Sequence, residues 1–263
     1  MERLLLLRLR SVGCAAEVRL NDIGVARTPA AGGALALPVH EYLLEGPNEI
    51  VLTVGPVAPG ATAGPVVAGA TTGASLRLLL PRVGQAGSEA TARTLADIDW
   101  VVGEGDVYVP PIALVREVVL PVKFPRWRWL DLAPIAEPQA VQPAAAAFVQ
   151  SLALAFLKGD AEPFLQAARL RFEELAQAYQ QPVADLAARW RSRIQLLHAT
   201  KALKPVLLAL ADVLVRPCAG GRLLECLAPT GEPALRTEPA ADGSSHAWPL
   251  RITVVEGRCH IVR

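Results

Sequence analysis

The stretch "AEVRLNDIGVARTP", residues 16–29, reads as a strand, a tight turn and a second strand. Apolar and polar residues alternate through it, the period of a half-buried strand. "EYLLEGPNEIVLTV" (41–54) follows, and the same reading extends outward on both sides. "LLLLRLRSV", "ALALPVH", "ASLRLLLPRV", "IDWVV" and "REVVLPVKFPRWRWL" are all short, rich in Val, Leu and aromatics, and separated by Gly and Pro. Helical periodicity is absent before residue 131. Many short strands with turn signals predict an all-β sandwich or jelly roll over residues 1–132. The uncharged Gly, Ala, Pro and Thr segment "GPVAPGATAGPVVAGATTGA" (55–74) is expected to form a long loop or flap.

Leu20-Asn21-Asp22-Ile23-Gly24 and Leu44-Glu45-Gly46-Pro47-Asn48-Glu49-Ile50 resemble the galactose-binding-like jelly roll, as in the sugar-binding domain of family 2 glycoside hydrolases. That family ends a strand in an Asn-Gly-type turn and places a Gly-x-Asn before the next core strand; here Asp22 stands where the family usually has Gly. Asn tolerates the left-handed region and caps its own turn, and Gly46 supplies a positive φ ahead of the strand. The resemblance spans roughly residues 14–130 and implies a fold. A retaining glycosidase needs two carboxylates about 5 Å apart, and no such pair is legible. Asp97, Asp99, Glu104 and Asp106 cluster as a solvated strand and loop edge, and their spacing is not that of an EF-hand calcium loop.

Bulk properties narrow the partners. The chain has 263 residues, 52% hydrophobic and 19% charged, with a formal net charge of +1, enough for two separate cores and unlike a disordered chain. Up to Leu130 there are 12 basic and 12 acidic residues, and 14 and 13 after it, so neither half carries the basic excess that nucleic acid demands. The N-terminal apolar run Leu4–Leu7 is shorter than a signal sequence needs, and the alternation that continues through Arg10 is that of a strand, which leads to an expected cytoplasmic location. "AAAAFVQSLALAFL" (144–157) is 14 residues, short of a membrane span. The four cysteines (14, 218, 226, 259) are expected to be reduced. A hairpin turn at Gly220-Gly221 sets 218 against 223 and 226 against 215, out of register for a disulfide. Cys218 and Cys226 with His246 and His260 match no zinc ligand spacing. No metal and no cofactor is expected.

"KFPRWRWLDLAP" (123–134) is the most distinctive stretch of the first half. On a strand, Trp127 and Trp129 share one face and Arg126 and Arg128 the other. The paired rings either stack on a sugar or a protein partner, or close a core. A Pro/Ala-rich connector (133–146) then gives way to helical spacing: Phe148, Leu152, Ala155 and Phe156; Phe164, Ala168, Phe172, Leu175 and Tyr179, with Asp160 as N-cap; and Leu186, Trp190, Ile194 and Leu197. Glu173 and Glu174 are expected in solvent. Strands follow in "DVLVRPCA", "RLLECLAP", "PALRTEP", "HAWPLRITVVEG" and "RCHIVR", giving an α+β class for 147–263. This order, closing on "WPLRITVVEGRCHIVR", resembles the cystatin-like roll shared by nuclear transport factor, ketosteroid isomerase and polyketide cyclases. The resemblance implies a cone between helices and sheet used as active site or partner surface. His246 and Trp248 alternate onto one face of the strand entering it and are the candidates there.

No catalytic constellation stands out. The expected function is a non-catalytic protein-interaction module of a bacterial-type protein, an adaptor or an immunity protein that binds a toxin. The alternatives are a carbohydrate or small-molecule binder using Arg126, Trp127, Arg128 and Trp129, and an enzyme based on the C-terminal roll.

Overall fold

The computed structural model describes residues 4–56, 62–82, 91–241 and 243–263. The chain is mixed α and β, its sheets antiparallel, and it divides into two compact units at Arg126/Trp127.

The first unit holds two four-stranded sheets. One orders β1 (Leu6–Val12), β4 (Gly32–Pro38), β7 (Thr72–Leu80) and β8 (Arg93–Val102) as β4-β1-β7-β8. The other orders β2 (Ala16–Leu20), β3 (Ile23–Thr28), β5 (Pro47–Val54) and β10 (Ile112–Val119) as β10-β5-β2-β3. Alternate residues are buried along the strands: Leu7 and Leu9 on β1, Leu76 and Leu78 on β7, Ile50, Leu52 and Val54 on β5. The turn read in the opening stretch is formed by Asn21 and Asp22 at φ 49° and 63°, and Gly46 sits at φ 89°. The two asparagines of the resemblance meet. Asn21 Nδ2 donates to Asn48 Oδ1 at 2.8 Å, and Asn48, 1% exposed, also accepts from Leu44 N–H at 2.7 Å and donates to Leu44 O at 2.8 Å. One buried amide thus satisfies the chain that enters β5.

Part of the expected 55–74 loop is ordered structure. β6 (Val66–Val67) pairs with β9 (Val107–Tyr108), and β7 begins at Thr72; residues 57–61 lie outside the described residues. "KFPRWRWL" is not the end of a strand. β10 closes at Val119, and Arg128–Asp131 is a turn of 3₁₀-helix in the second unit, preceded by extended Trp127.

The second unit has four helices among the described residues: α1 (Pro138–Leu157), α2 (Glu162–Ala167), α3 (Arg169–Tyr179) and α4 (Val183–Ala199). α1 begins inside the expected connector, because Pro138 is suited to a first helical turn. It runs to 20 residues and is long and apolar enough to cross a membrane by length and composition, so the 14-residue count does not hold. Its Val149, Leu152, Ala153 and Phe156 join the core of this unit. The single helix expected after Asp160 is broken at Ala168, although Asp160 Oδ1 does accept from Glu162 N–H at 3.0 Å. The sheet orders β11 (Leu214–Cys218), β12 (Leu223–Leu227), β13 (Arg251–Val255) and β14 (Arg258–Ile261) consecutively. Cys218 faces Leu223 and Cys226 faces Val215, the register derived from the Gly220-Gly221 turn, and the four cysteines are free. "PALRTEP" forms only isolated bridges, and the strand expected from His246 starts at Arg251, beyond Pro249.

Candidate functional site

The tryptophans singled out by the sequence are core. Trp127 is 0% exposed, Trp129 3% and Trp248 0%, so none of the three offers a face to a sugar or a partner. Trp248 meets Phe156 edge-on at 4.9 Å between helices and sheet. His246 is half-buried, and its backbone pairs with Thr237: His246 N–H donates to Thr237 Oγ1 at 2.9 Å, and His246 O accepts from Thr237 N–H at 2.8 Å. Arg126 and Arg128 are exposed. Arg128 is nonetheless engaged, its side chain with Glu173 and its backbone N–H with Glu174 Oε1, each at 2.5 Å.

Glu174 is buried at 2%, contrary to the expectation of a solvated carboxylate. It accepts from Arg263 Nη1. Arg263, 1% exposed, lies with its guanidinium carbon 5.5 Å from the Trp127 ring centroid. A row of charge continues across the sheet. Arg263 and Arg251 exchange backbone hydrogen bonds, Arg251 Nη2 donates to Glu225 Oε1 at 2.8 Å, and Arg216 Nη2 donates to Glu225 Oε2 at 2.6 Å. Arg216, Glu225 and Arg251 stand on the face opposite Leu224, Cys226 and Ile252, as strand alternation requires, and Arg263 follows past the end of β14. Both carboxylates of the row are taken up by its arginines, Glu174 by Arg263 and Glu225 by Arg251 and Arg216, which assigns it to the packing of this unit. Burial and the neighbouring Cys259 and Glu225 hold the Cys226 thiol far above its ordinary range, so it is no nucleophile.

The outward face of β4-β1-β7-β8 is different. Register sets Arg8 between Ala36 and Arg77, with Asp97 beyond, and Arg10 between Ala34 and Ser75, with Asp99 beyond. The alanines of β4 leave room beside the long arginines, and a trough of about 540 Å³ opens there, lined by Arg8, Arg10, Ala34, Ala36, Ser75 and Arg77. Directly opposed like charges disfavour a sheet pair. Arg77 is relieved by Asp97, at 3.4 Å between exposed groups, a weakly stabilising contact. Arg10 has no carboxylate partner among the described residues. Partial desolvation, then the charge of Asp97, lifts the Asp99 carboxyl above the usual range.

A second cleft of about 270 Å³ shares Arg10 and Ser75 with the first and extends it to Val12, Trp100 and Val101. Trp100 packs edge-on against Tyr108 at 5.1 Å, which ties β8 to the small β6–β9 sheet. Val101 is 79% exposed, and Val67, Val107 and Val109 are exposed as well. The sequence signalled half of this surface: period 2 puts Arg8 and Arg10 on one face. That Arg77 stands opposite, 69 residues on from Arg8, had no local signal. The two clefts offer guanidinium donors, hydroxyls, the Asp99 carboxyl and apolar surface, and no histidine or cysteine lines them. Among the described residues no three His, Cys, Asp or Glu side chains converge to hold a metal. No family model, curated protein or solved structure matches this chain.

Proposed function

We propose that the chain is a non-catalytic protein-interaction module that docks its partner on the outward face of β4-β1-β7-β8. The observation that carries this reading is the pair of adjoining clefts, which set Arg8, Arg10 and Arg77 beside exposed Val101. Arginine anchors beside exposed apolar surface are part of the chemistry of interface hot spots. The partner carries an acidic group opposite Arg10 and an apolar side chain opposite Val101. As to fold, two four-stranded antiparallel sheets and the Asn21–Asn48 contact support reading the first unit as a galactose-binding-like jelly roll. Helices followed by a four-stranded meander support reading the second as a cystatin-like roll. Both are folds that serve as binding scaffolds, so function rests on the site alone.

The test is a fluorescence anisotropy titration of the full chain with a labelled peptide alternating Glu and Val. Arg10→Glu and Val101→Asp are expected to weaken binding by about tenfold each without changing the circular dichroism, since both side chains are exposed. Affinity unchanged in both variants would remove this face from consideration.

A further inference from the structure

We propose a second site, on α4: the cleft between Arg189 and Arg193 binds a phosphate-type oxyanion. The sequence "ARWRSRIQ" puts three arginines at alternate positions around Trp190, and the helix sorts them. Arg191 is neutralised by Glu162, Nε to Oε1 at 2.6 Å. Arg189 and Arg193, four residues apart and so on one helix face, have no carboxylate partner among the described residues. Like charges at this spacing repel, and an anion between them relieves the repulsion.

Both guanidinium groups are held in place. Trp190 is half-buried and stacked on Phe164, centroids 5.4 Å apart at 30°, so its ring is a fixed platform. The Arg193 guanidinium carbon lies 5.8 Å from the ring centroid, and that of Arg171, reaching over from α3, lies 5.4 Å away. A guanidinium held over an indole face by the ring quadrupole keeps its N–H donors available while losing side-chain freedom. Arg189 Nε donates to Asp185 O at 3.3 Å, and its Nη2 donates to Gln181 Oε1. The cleft bounded by Leu186, Arg189, Trp190 and Arg193 measures about 240 Å³, room for one compact oxyanion. A carboxylate saturates a single fork. The Arg193 fork and the remaining Arg189 N–H groups line one cleft and suit an anion with three or four oxygens, which accepts from both.

This site is on the second unit and shares no residue with the sheet face proposed for partner docking, so each proposal fails separately. The test titrates the full chain with inorganic pyrophosphate at constant ionic strength, followed by calorimetry and tryptophan fluorescence. Saturable one-to-one binding is expected, weakened about tenfold in Arg189→Gln and in Arg193→Gln and unchanged in Arg191→Gln. Trp190→Phe is expected to lose the fluorescence change while keeping a heat of binding. Phosphatidylcholine vesicles containing phosphatidic acid present the same group on a surface. Co-sedimentation that Arg193→Gln abolishes identifies a lipid source, and pyrophosphate binding without it identifies a soluble one. Acetate binding as tightly as pyrophosphate, or an unchanged affinity in Arg193→Gln, overturns the proposal.

Discussion

His40 is 8% exposed, its ring 5.0 Å from that of Phe124, and its Nδ1 accepts from Leu5 N–H at 3.4 Å. An accepting Nδ1 carries no proton, so the imidazole is neutral in the fold, and burial lowers its pKa from the ordinary 6.5. The unfolded chain takes up a proton near pH 6.5 while the folded chain still refuses it, so stability is full above that pH and declines as pH falls towards the lowered folded value. Asp99, whose folded carboxyl is raised, acts with the opposite sign in a lower window, nearer the carboxylate range. Urea midpoints measured between pH 7.5 and 5.5 are therefore expected to fall in the native chain and to fall less in His40→Gln. Equal slopes in the two would mean that His40 is not buried neutral.

At the scale of elements, one salt bridge ties α3 to the segment that follows β14. Glu174 reaches Arg263 across 89 positions of sequence, both side chains buried and Arg263 covered by the ring of Trp127. Removing one member of a buried pair leaves the other charge unpaired and desolvated. Glu174→Ala is expected to cost about 3–5 kcal/mol, read as a shift in chemical denaturation, whereas removing exposed Glu162 should change little. A Glu174→Ala shift no larger than that of Glu162→Ala would show the pair to be solvated. This contact also marks how far the sequence could be read. Elements whose cause is local were legible: the Asn21-Asp22 turn, the Gly220-Gly221 hairpin with its register, and the spacing of Phe164, Ala168 and Phe172. Glu174 was misplaced because the helical stripe says where the apolar face lies, and not that a distant arginine will be buried beside it. The trough was legible only as far as the alternation of Arg8 and Arg10, because strand order is a non-local fact. "RWRW" misled for a related reason. Alternating composition suits a strand, but Trp127 and Trp129 are buried at a 3₁₀ turn where period 2 has no meaning.

For the whole molecule, the consequence is where an autonomous fragment begins. The change of period in the sequence points to residues 133–146 as the connector, whereas the compact units part at Arg126/Trp127. The thirteen residues from Trp127 to Gln139 therefore belong with the helices. They contribute two tryptophans at 0% and 3% exposure, the ring over Arg263, the Arg128 N–H that binds Glu174, the Ile135 N–H donated to Gly221 O at 2.9 Å, and the first two residues of α1. Loss of one buried tryptophan costs about 3–5 kcal/mol. Loss of both is comparable to the whole stability of a typical domain, about 5–15 kcal/mol. Fragment 127–263 is accordingly expected to fold on its own, with near-ultraviolet circular dichroism and a cooperative thermal transition. Fragment 140–263 is expected to keep helix in the far ultraviolet while losing both, since α2, α3 and most of α1 keep their local causes and the packing that fixes the side chains is gone. Two fragments with the same transition temperature would show that the tryptophans do not anchor this core and that the boundary belongs after them.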